Sequence, residues 1–544
     1  MSLYYDASTI LTTPSSTGGS FKSRIYNSRS TNTNTKASPA QIYALITETA
    51  KWDVVLKEVI ERAEILKLEA KLTPLLALFL VHDLLLSKKG IAANSNHPLR
   101  LAIEKHKTRL RGEFIKARVR RGCASVEELK TVVLREKKAH IKAENGDKPI
   151  AVYPRWVRVN TVKTTLEKQL ESTFAAYEKV GSLAELVRDE DDTDDQKRVY
   201  VDPHIPDLLA VPPGVEFIAS PAYKNGEVIL QDKASCFPAY LLSGDTPEWE
   251  GDLVDGCAAP GNKTTHLAAL LSKNGIKNSR VISMDASSAR SKTLQKMVSA
   301  AGAAENIVTV LPGQDFLAIE PQSDDRFANV TGLLLDPSCS GSGIIGRDDV
   351  PQLLLPRIPE TKSRKNQGKK RKRDEPHPAQ AKSTQSTTPS TTDENDIPAT
   401  GTLDNDRLTK LSNLQARIVE HALSFPAATR ITYSTCSIHL TENESVVERV
   451  VNSDIAKRCG WRVLRRDEQP VGLRGWGHRG VKSDPGNDKE RVDLGEEELD
   501  GCLRCWPGDE EGVGGFFVVG FVRDGQDDIE NDGGKDDEWE GFSD

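Results

Sequence analysis

Leu253-Val254-Asp255-Gly256-Cys257-Ala258-Ala259-Pro260-Gly261-Asn262-Lys263-Thr264 reads as a short apolar strand, a turn of small residues and the start of a helix. Gly256, Ala258, Ala259 and Gly261 let the backbone come close to a ligand, and the helix beyond Pro260 offers unpaired N–H groups to a carboxylate or phosphate. Lys263 adds positive charge at that end. The stretch is neither a Walker phosphate loop nor a G-x-G-x-x-G fingerprint, so ATP and NAD are poor candidates for what it holds.

Outward from this turn, residues 251 to 350 alternate strand and helix: a helix from Lys263, a strand Arg280–Met284, a helix from Ser288, a strand Ile307–Leu311 and a strand Gly332–Leu335. Such alternation predicts an α/β domain with a parallel, doubly wound, Rossmann-like sheet. Asp285 closes the second strand, where an acidic side chain can hold ribose hydroxyls, and Asp315 follows the third, where a polar group can meet an adenine edge. Two segments then place a thiol just past a strand: Asp336-Pro337-Ser338-Cys339-Ser340-Gly341-Ser342-Gly343 and Tyr433-Ser434-Thr435-Cys436-Ser437. That is the edge where open α/β sheets bind ligands. A helix over Asp406–Phe425 precedes the second segment, and Gly515–Val522 is a late strand that closes the sheet.

The rest of the 544 residues divides by composition. Residues 1–37 are polar, rich in Ser and Thr and without an apolar signal core, and are expected to be disordered. Ser38-Pro39-Ala40-Gln41 starts a helix, as does Thr73-Pro74, and residues 38–140 read as an all-helical N-terminal domain. Its Leu72–Leu86 run is interrupted by Pro74, His82 and Asp83 and is too short to span a bilayer. From Pro154, the alternation Arg155-Trp156-Val157-Arg158-Val159-Asn160 and a helical run Thr164–Lys179 suggest a small α+β unit over 150–245. The catalytic domain is then 246–523, interrupted by a disordered basic insertion at 357–404 and followed by an acidic tail at 524–544. The net charge of −7 averages opposed blocks, basic at Lys105–Arg121 and Lys362–Arg373 and acidic at the C-terminus. It neither supports nor excludes a nucleic-acid partner.

The segments DGCAAPGNKT, DPSCSGSG and YSTCS, in this order and spacing, resemble the S-adenosylmethionine-dependent RNA cytosine-C5 methyltransferases of the RsmB/Nop/Sun family. The resemblance covers roughly 150–350 and 405–523. Ser338, where most of the family has proline, and the helical start (Tyr4 to Thr9, Leu72–Leu86) are similar to the branch that modifies large-subunit (25S) ribosomal RNA. It implies a Rossmann-like methyltransferase domain, S-adenosyl-L-methionine as cofactor and rRNA as partner, a pre-ribosomal particle included. It further implies a monomer without membrane contact, in the nucleus and nucleolus.

The resemblance also assigns roles. Cys436 is the nucleophile that adds to C6 of cytosine, Cys339 assists release, and Asp336 holds the N3/N4 edge of the flipped base. Cys257, Ala258, Ala259, Pro260, Gly261, Asn262, Lys263, Asp285, Asp315 and Asp336 form the cofactor site. Lys233, in Gln231-Asp232-Lys233-Ala234-Ser235, is a family landmark near base or cofactor, and with Arg155 and Arg158 is a candidate RNA contact. The insertion and acidic tail depart from the family pattern. Cys502-Leu503-Arg504-Cys505 has no second pair at finger spacing, so no metal is expected. The thiols of Cys123, Cys236, Cys257 and Cys459 read as structural, and Lys369–Arg373 as a nuclear import signal. The competing readings are an rRNA-binding assembly factor without catalysis, which would have no use for the Cys436 thiol, and methylation of another RNA such as tRNA.

Overall fold

Leu253 and Val254, and Leu333, Leu334 and Leu335, send alternate side chains to opposite sides of one sheet, so both sides must be covered. The computed structural model describes residues 2–12, 21–26, 36–144, 153–187, 197–344, 351, 353–357, 401–484 and 487–524, apart from 214, 216, 247–248, 277 and 305. These fall into two compact units, 1–148 with 346–402 and 149–345 with 403–544.

The second unit contains two larger sheets. The smaller is built from β1 (Arg155–Val159), β2 (Glu178–Val180), β3 (Arg198–Val201), β4 (Leu208–Val211) and β5 (Val228–Leu230), in the order β2-β3-β4-β1-β5. Val157 and Val159 face its own core with Phe174, Leu209 and Val211, while Trp156 on the opposite face joins the core of the large sheet. The helical run expected over Thr164–Lys179 is a helix over Leu166–Glu171, after which the chain enters β2. Thr165 caps that helix by accepting from Lys168 N.

The large sheet comprises β6 (Asp252–Asp255), β7 (Val281–Asp285), β8 (Val308–Pro312), β9 (Val330–Leu335), β10 (Arg430–Thr435), β11 (Trp461–Val463), β14 (Leu503–Cys505) and β15 (Phe516–Arg523). A two-stranded hairpin, β12 (Ser483–Asp484) and β13 (Asn487–Arg491), lies between β11 and β14 in the chain. The strand order is β11-β15-β10-β9-β6-β7-β8, with β14 also on β15. Strands β6 to β10 are mutually parallel, and β15 runs antiparallel to β10. The chain winds from β6 outward to β7 and β8, then returns to β9 and β10 on the other side. Strand order therefore reverses between β6 and β9, which opens a crevice at their carboxyl ends.

Helices Lys233–Ser243, Asn262–Lys273 and Ser288–Ala300 pack on one face. Gly401–Ala422 and Glu444–Val451 pack on the other. The helix Lys233–Ser243, expected in the small α+β unit, lies against β9, β10 and β15 because Phe237, Tyr240 and Leu241 share their core. The basic insertion expected over 357–404 is shorter at both ends. Arg357 N donates to Glu61 Oε1 (2.9 Å), and the following helix begins at Gly401 and ends at Ala422. Residues 358–400, with the Lys369–Arg373 cluster, and 525–544 lie outside the described residues.

The first unit is helical: Pro39–Arg62, Pro74–Leu85, Lys107–Arg120 and Val126–Glu144 share one apolar core. The expectation of disorder over 1–37 fails at Ser2–Thr12, a helix whose Tyr4, Ala7 and Ile10 recur every three residues and are buried. Tyr4 donates its hydroxyl to Asp83 (2.6 Å) and accepts from Ala92 N (2.7 Å). Residues 13–20 and 27–35 lie outside the described residues. No described helix is long and apolar enough to cross a membrane.

Candidate active site

At the end of β6 the chain turns through Gly256, Ala258 and Gly261 into the helix Asn262–Lys273. Gly256 touches the Phe316 ring so closely that a Cβ would fall 2.9 Å from it, and Gly261 has a φ of +119° that glycine tolerates. Gly256 N donates to Leu334 O (3.0 Å) and Ala258 N to Met284 O (2.9 Å), tying the turn to the neighbouring strands.

Lys263, in the first turn of this helix, reaches across the crevice to the end of β9. Its Nζ lies 2.8 Å from Asp336 Oδ2 and 3.1 Å from Ser235 Oγ, over the ring of Phe516. Burial works against this ammonium, but the negative charges of Asp336, Asp255 and Cys436 outweigh it and hold the lysine above its usual range. The other Asp336 oxygen, Oδ1, accepts from Ser434 Oγ (2.8 Å) on β10. A helix and a neighbouring strand thus fix one carboxylate at the end of β9. Asp255 lies fully buried below the turn, where desolvation pushes it up to about 7; Thr264 Oγ1 donates to its Oδ2 (2.7 Å), and Oδ1 is unpartnered.

The two cysteine segments meet at the same edge: Cys339 Sγ and Cys436 Sγ are 3.0 Å apart, both half-buried, and all eight cysteines are thiols. The hydrogen bond with Cys436, then burial, then the charges of Cys436, Asp336 and Glu442, push the Cys339 thiol far above its ordinary value. The Cys339 thiol is therefore held toward its protonated form, and Lys263 lies close enough to Cys436 for their charges to interact. Three hydroxyls lock the loops together, Ser340, Ser342 and Ser437, each 3.2 Å from the other two. Gly343 N donates to Cys436 O (3.0 Å), and Gly343 O accepts from Gly515 N (2.8 Å). Behind the second loop, buried Arg504 forks onto Glu444 (2.6 and 2.5 Å) and donates to Ile438 O.

The other expected site residues are placed less uniformly. Asp285 is buried at the end of β7, where it accepts from Ser287 N (2.9 Å) and pairs with Arg290 (3.3 Å). Asp315 is exposed past β8 and caps the turn Phe316–Ala318. Arg155 is half-buried on β1.

Arg158 is not placed to meet a phosphate. It is 1% exposed, bonded to Gln231 Oε1 (2.7 Å) and Thr265 Oγ1 (3.0 Å), and ties β1 to the helix Asn262–Lys273. Lys233 is likewise 1% exposed: its ammonium meets Asp202 (2.7 Å), Glu511 (3.1 Å) and His204 Nδ1 (3.1 Å) between the rings of Trp156 and Trp476. Arg158 is enclosed among neutral groups and Lys233 is paired inside the protein, so neither is open to a phosphate, which corrects their assignment as RNA contacts. Ser434, Gln415 and Glu442, which hold Asp336 and the Cys339 loop, carried no sequence signal beyond the presence of Ser434 in YSTCS.

Paired thiols beside a lysine–carboxylate pair thus lie at the switch point of a doubly wound sheet, where such sheets bind ligands. Residues 40–129 match the model for NOL1/NOP2/Sun domain family member 5, N-terminal domain, residues 153–231 its ferredoxin-like domain, and residues 240–370 the 16S rRNA methyltransferase RsmB/F model. The chain is 37% identical over 523 residues to the 25S rRNA (cytosine-C(5))-methyltransferase rcm1 of Schizosaccharomyces pombe, covering 96% of this chain and 92% of that one. It is 32% identical to a 28S rRNA (cytosine-C(5))-methyltransferase of Mus musculus, covering 96% and 91%. A methyltransferase homologue from Pyrococcus horikoshii aligns at 18% identity with a TM-score of 0.44, covering 68% of this chain and 87% of that one. The chain belongs to the NOL1/NOP2/Sun family of RNA methyltransferases.

Proposed function

We propose that this protein methylates C5 of a cytosine in large-subunit rRNA by way of a transient bond between Cys436 Sγ and C6 of the base. The carrying observation is the pair of sulfurs 3.0 Å apart beside the Lys263–Asp336 bridge. The full-length similarity to 25S and 28S rRNA enzymes supports the substrate class.

The cofactor that suits the crevice carries a carboxylate, an ammonium and a ribose, as S-adenosylmethionine does. The start of the helix at Asn262 offers N–H groups, Asp285 offers a carboxylate, and the buried oxygens Asp255 Oδ1 and Asn262 Oδ1 are unpartnered. When bound, it supplies an electrophilic methyl group.

The chain's own residues do the rest. The thiolate of Cys436 adds to C6, and the electron pair displaced from the C5–C6 bond makes C5 nucleophilic. Asp336, held at both oxygens by Lys263 and Ser434, is fixed to meet the N3/N4 edge and to support a proton at N3. Once Cys436 sulfur is a thioether, the hydrogen bond and negative charge that raised Cys339 are gone. Cys339 can then lose its own proton to water and take the C5 proton. The C6–S bond breaks, and its electron pair returns to Cys436.

Cys436→Ala should abolish methylation of an rRNA substrate and leave cofactor affinity within about twofold. Retained turnover would overturn the assignment. A nuclear and nucleolar site of action, supported by the rRNA substrate class and the Lys369–Arg373 cluster, completes the proposal. Deleting 358–400 should lower nuclear levels while sparing activity in vitro; unchanged nuclear levels would count against an import signal there.

A further inference from the structure

The peptide groups on either side of Cys339 are both held by buried side chains from later in the chain. Gln415, on the helix Gly401–Ala422, donates from Nε2 to Ser338 O (3.0 Å) and to Glu442 Oε1 (3.1 Å). The same Glu442 Oε1 accepts from Ser340 N (2.8 Å). Both side chains are 0% exposed. The carbonyl before Cys339 and the N–H after it are therefore gripped by one hydrogen-bonded pair. The grip leaves Gln415 Oε1 and Glu442 Oε2 buried without partners. Two unsatisfied buried acceptors are a cost that an apolar pair at these positions would avoid. Glu442 also stands close enough to Cys339 for its charge to oppose loss of the thiol proton.

We infer that Gln415 and Glu442 are positioning residues that clamp the Cys339 loop, setting the direction of its thiol for release of the methylated base. The inference rests on the release role assigned to Cys339 above. Neither residue touches the sulfurs' reaction partners. They act through the backbone, so their loss should spare methyl transfer in the first turnover and slow escape from the adduct.

The test compares Gln415→Met, which keeps side-chain length and removes the donor, with Glu442→Gln, which keeps an acceptor for Ser340 N–H, and with Cys339→Ala. Each is assayed for cofactor affinity, single-turnover and multiple-turnover methylation of an rRNA fragment, and a slower-migrating covalent band on a denaturing gel. Gln415→Met is expected to hold first-turnover methyl transfer within about threefold of wild type, to cut multiple turnover at least tenfold and to accumulate the adduct. Glu442→Gln should do the same more weakly, since both backbone contacts can still form and only the carboxylate's charge is lost. If Cys339→Ala traps the adduct and neither variant does, the clamp is refuted and the release assignment stands. If Cys339→Ala traps none, the release assignment fails and the clamp with it. Loss of cofactor affinity in step with methylation in both variants would make the pair ordinary core residues and overturn the inference.

Discussion

Asp255→Asn tests how the floor of the cofactor turn is charged. Asp255 is fully buried, and desolvation outweighs the Thr264 hydrogen bond and the Lys263 charge to push it up to about 7. In an unfolded chain the same carboxyl titrates near 3.9. The folded protein therefore holds this proton more tightly than the unfolded chain. That contribution to stability is complete below about pH 4, declines as pH rises, and is lost above about pH 7. Three pH units at about 1.4 kcal/mol each make the full effect about 4 kcal/mol, of which about 2 kcal/mol falls between pH 5 and pH 7. Asparagine carries no such proton and should not show the decline. The assay is urea unfolding of both proteins at pH 5, 6, 7 and 8, followed by tryptophan fluorescence, with the difference between the two curves isolating this one group. Relative to wild type, Asp255→Asn should gain about 2 kcal/mol from pH 5 to pH 7 and less than about 0.5 kcal/mol more by pH 8. A difference constant across the range would mean that Asp255 is ionised in the folded state at all these values, and would contradict its raised proton affinity.

Arg504→Met leaves the Glu444 charge buried without its cation behind the Cys436 loop, which should cost about 3–5 kcal/mol and lower the melting temperature by roughly 5 °C in calorimetry; an unchanged Tm would mean the pair contributes nothing. Gly343→Ala would place a Cβ 2.1 Å from Gly515 O, so it should push the Cys339 loop away from the chain at Gly515 and lower turnover by about 100-fold, with wild-type turnover as the contrary result. Because the two sulfurs sit 3.0 Å apart, hydrogen peroxide should oxidise the pair to a disulfide, releasing two waters per peroxide, with activity lost and then restored by dithiothreitol. A non-reducing digest lacking a 327–347 to 431–449 cross-link would contradict that proximity.

Much of the large sheet was legible because its signals are local. An apolar run followed by small residues and a helix start recurs at β6, and the DPSCSGSG and YSTCS turns follow their strands directly. What sequence reasoning missed depends on partners far along the chain. Arg158 alternates with apolar neighbours as a surface arginine would, yet Gln231 and Thr265 enclose it. Lys233 opens a helix, where a cation normally faces water, but Asp202 and Glu511 arrive from opposite sides. Gln415 looks like any polar residue on an amphipathic helix until Glu442 and Ser338 are brought beside it. The N-terminal helix escaped notice because three buried residues in a polar stretch are a weak period that the rest of the core completes.

Which sulfur bonds to the base decides the mechanism. An rRNA fragment carrying 5-fluorocytidine at the target blocks release, since fluorine cannot leave C5 as a proton does, and so holds the adduct with both cysteines present. After nuclease and trypsin digestion, the 431–449 peptide contains Cys436 and the 327–347 peptide contains Cys339, one cysteine each. Mass spectrometry should find the methylated fluoronucleotide on the 431–449 peptide; finding it on the 327–347 peptide, or on neither, would contradict the mechanism.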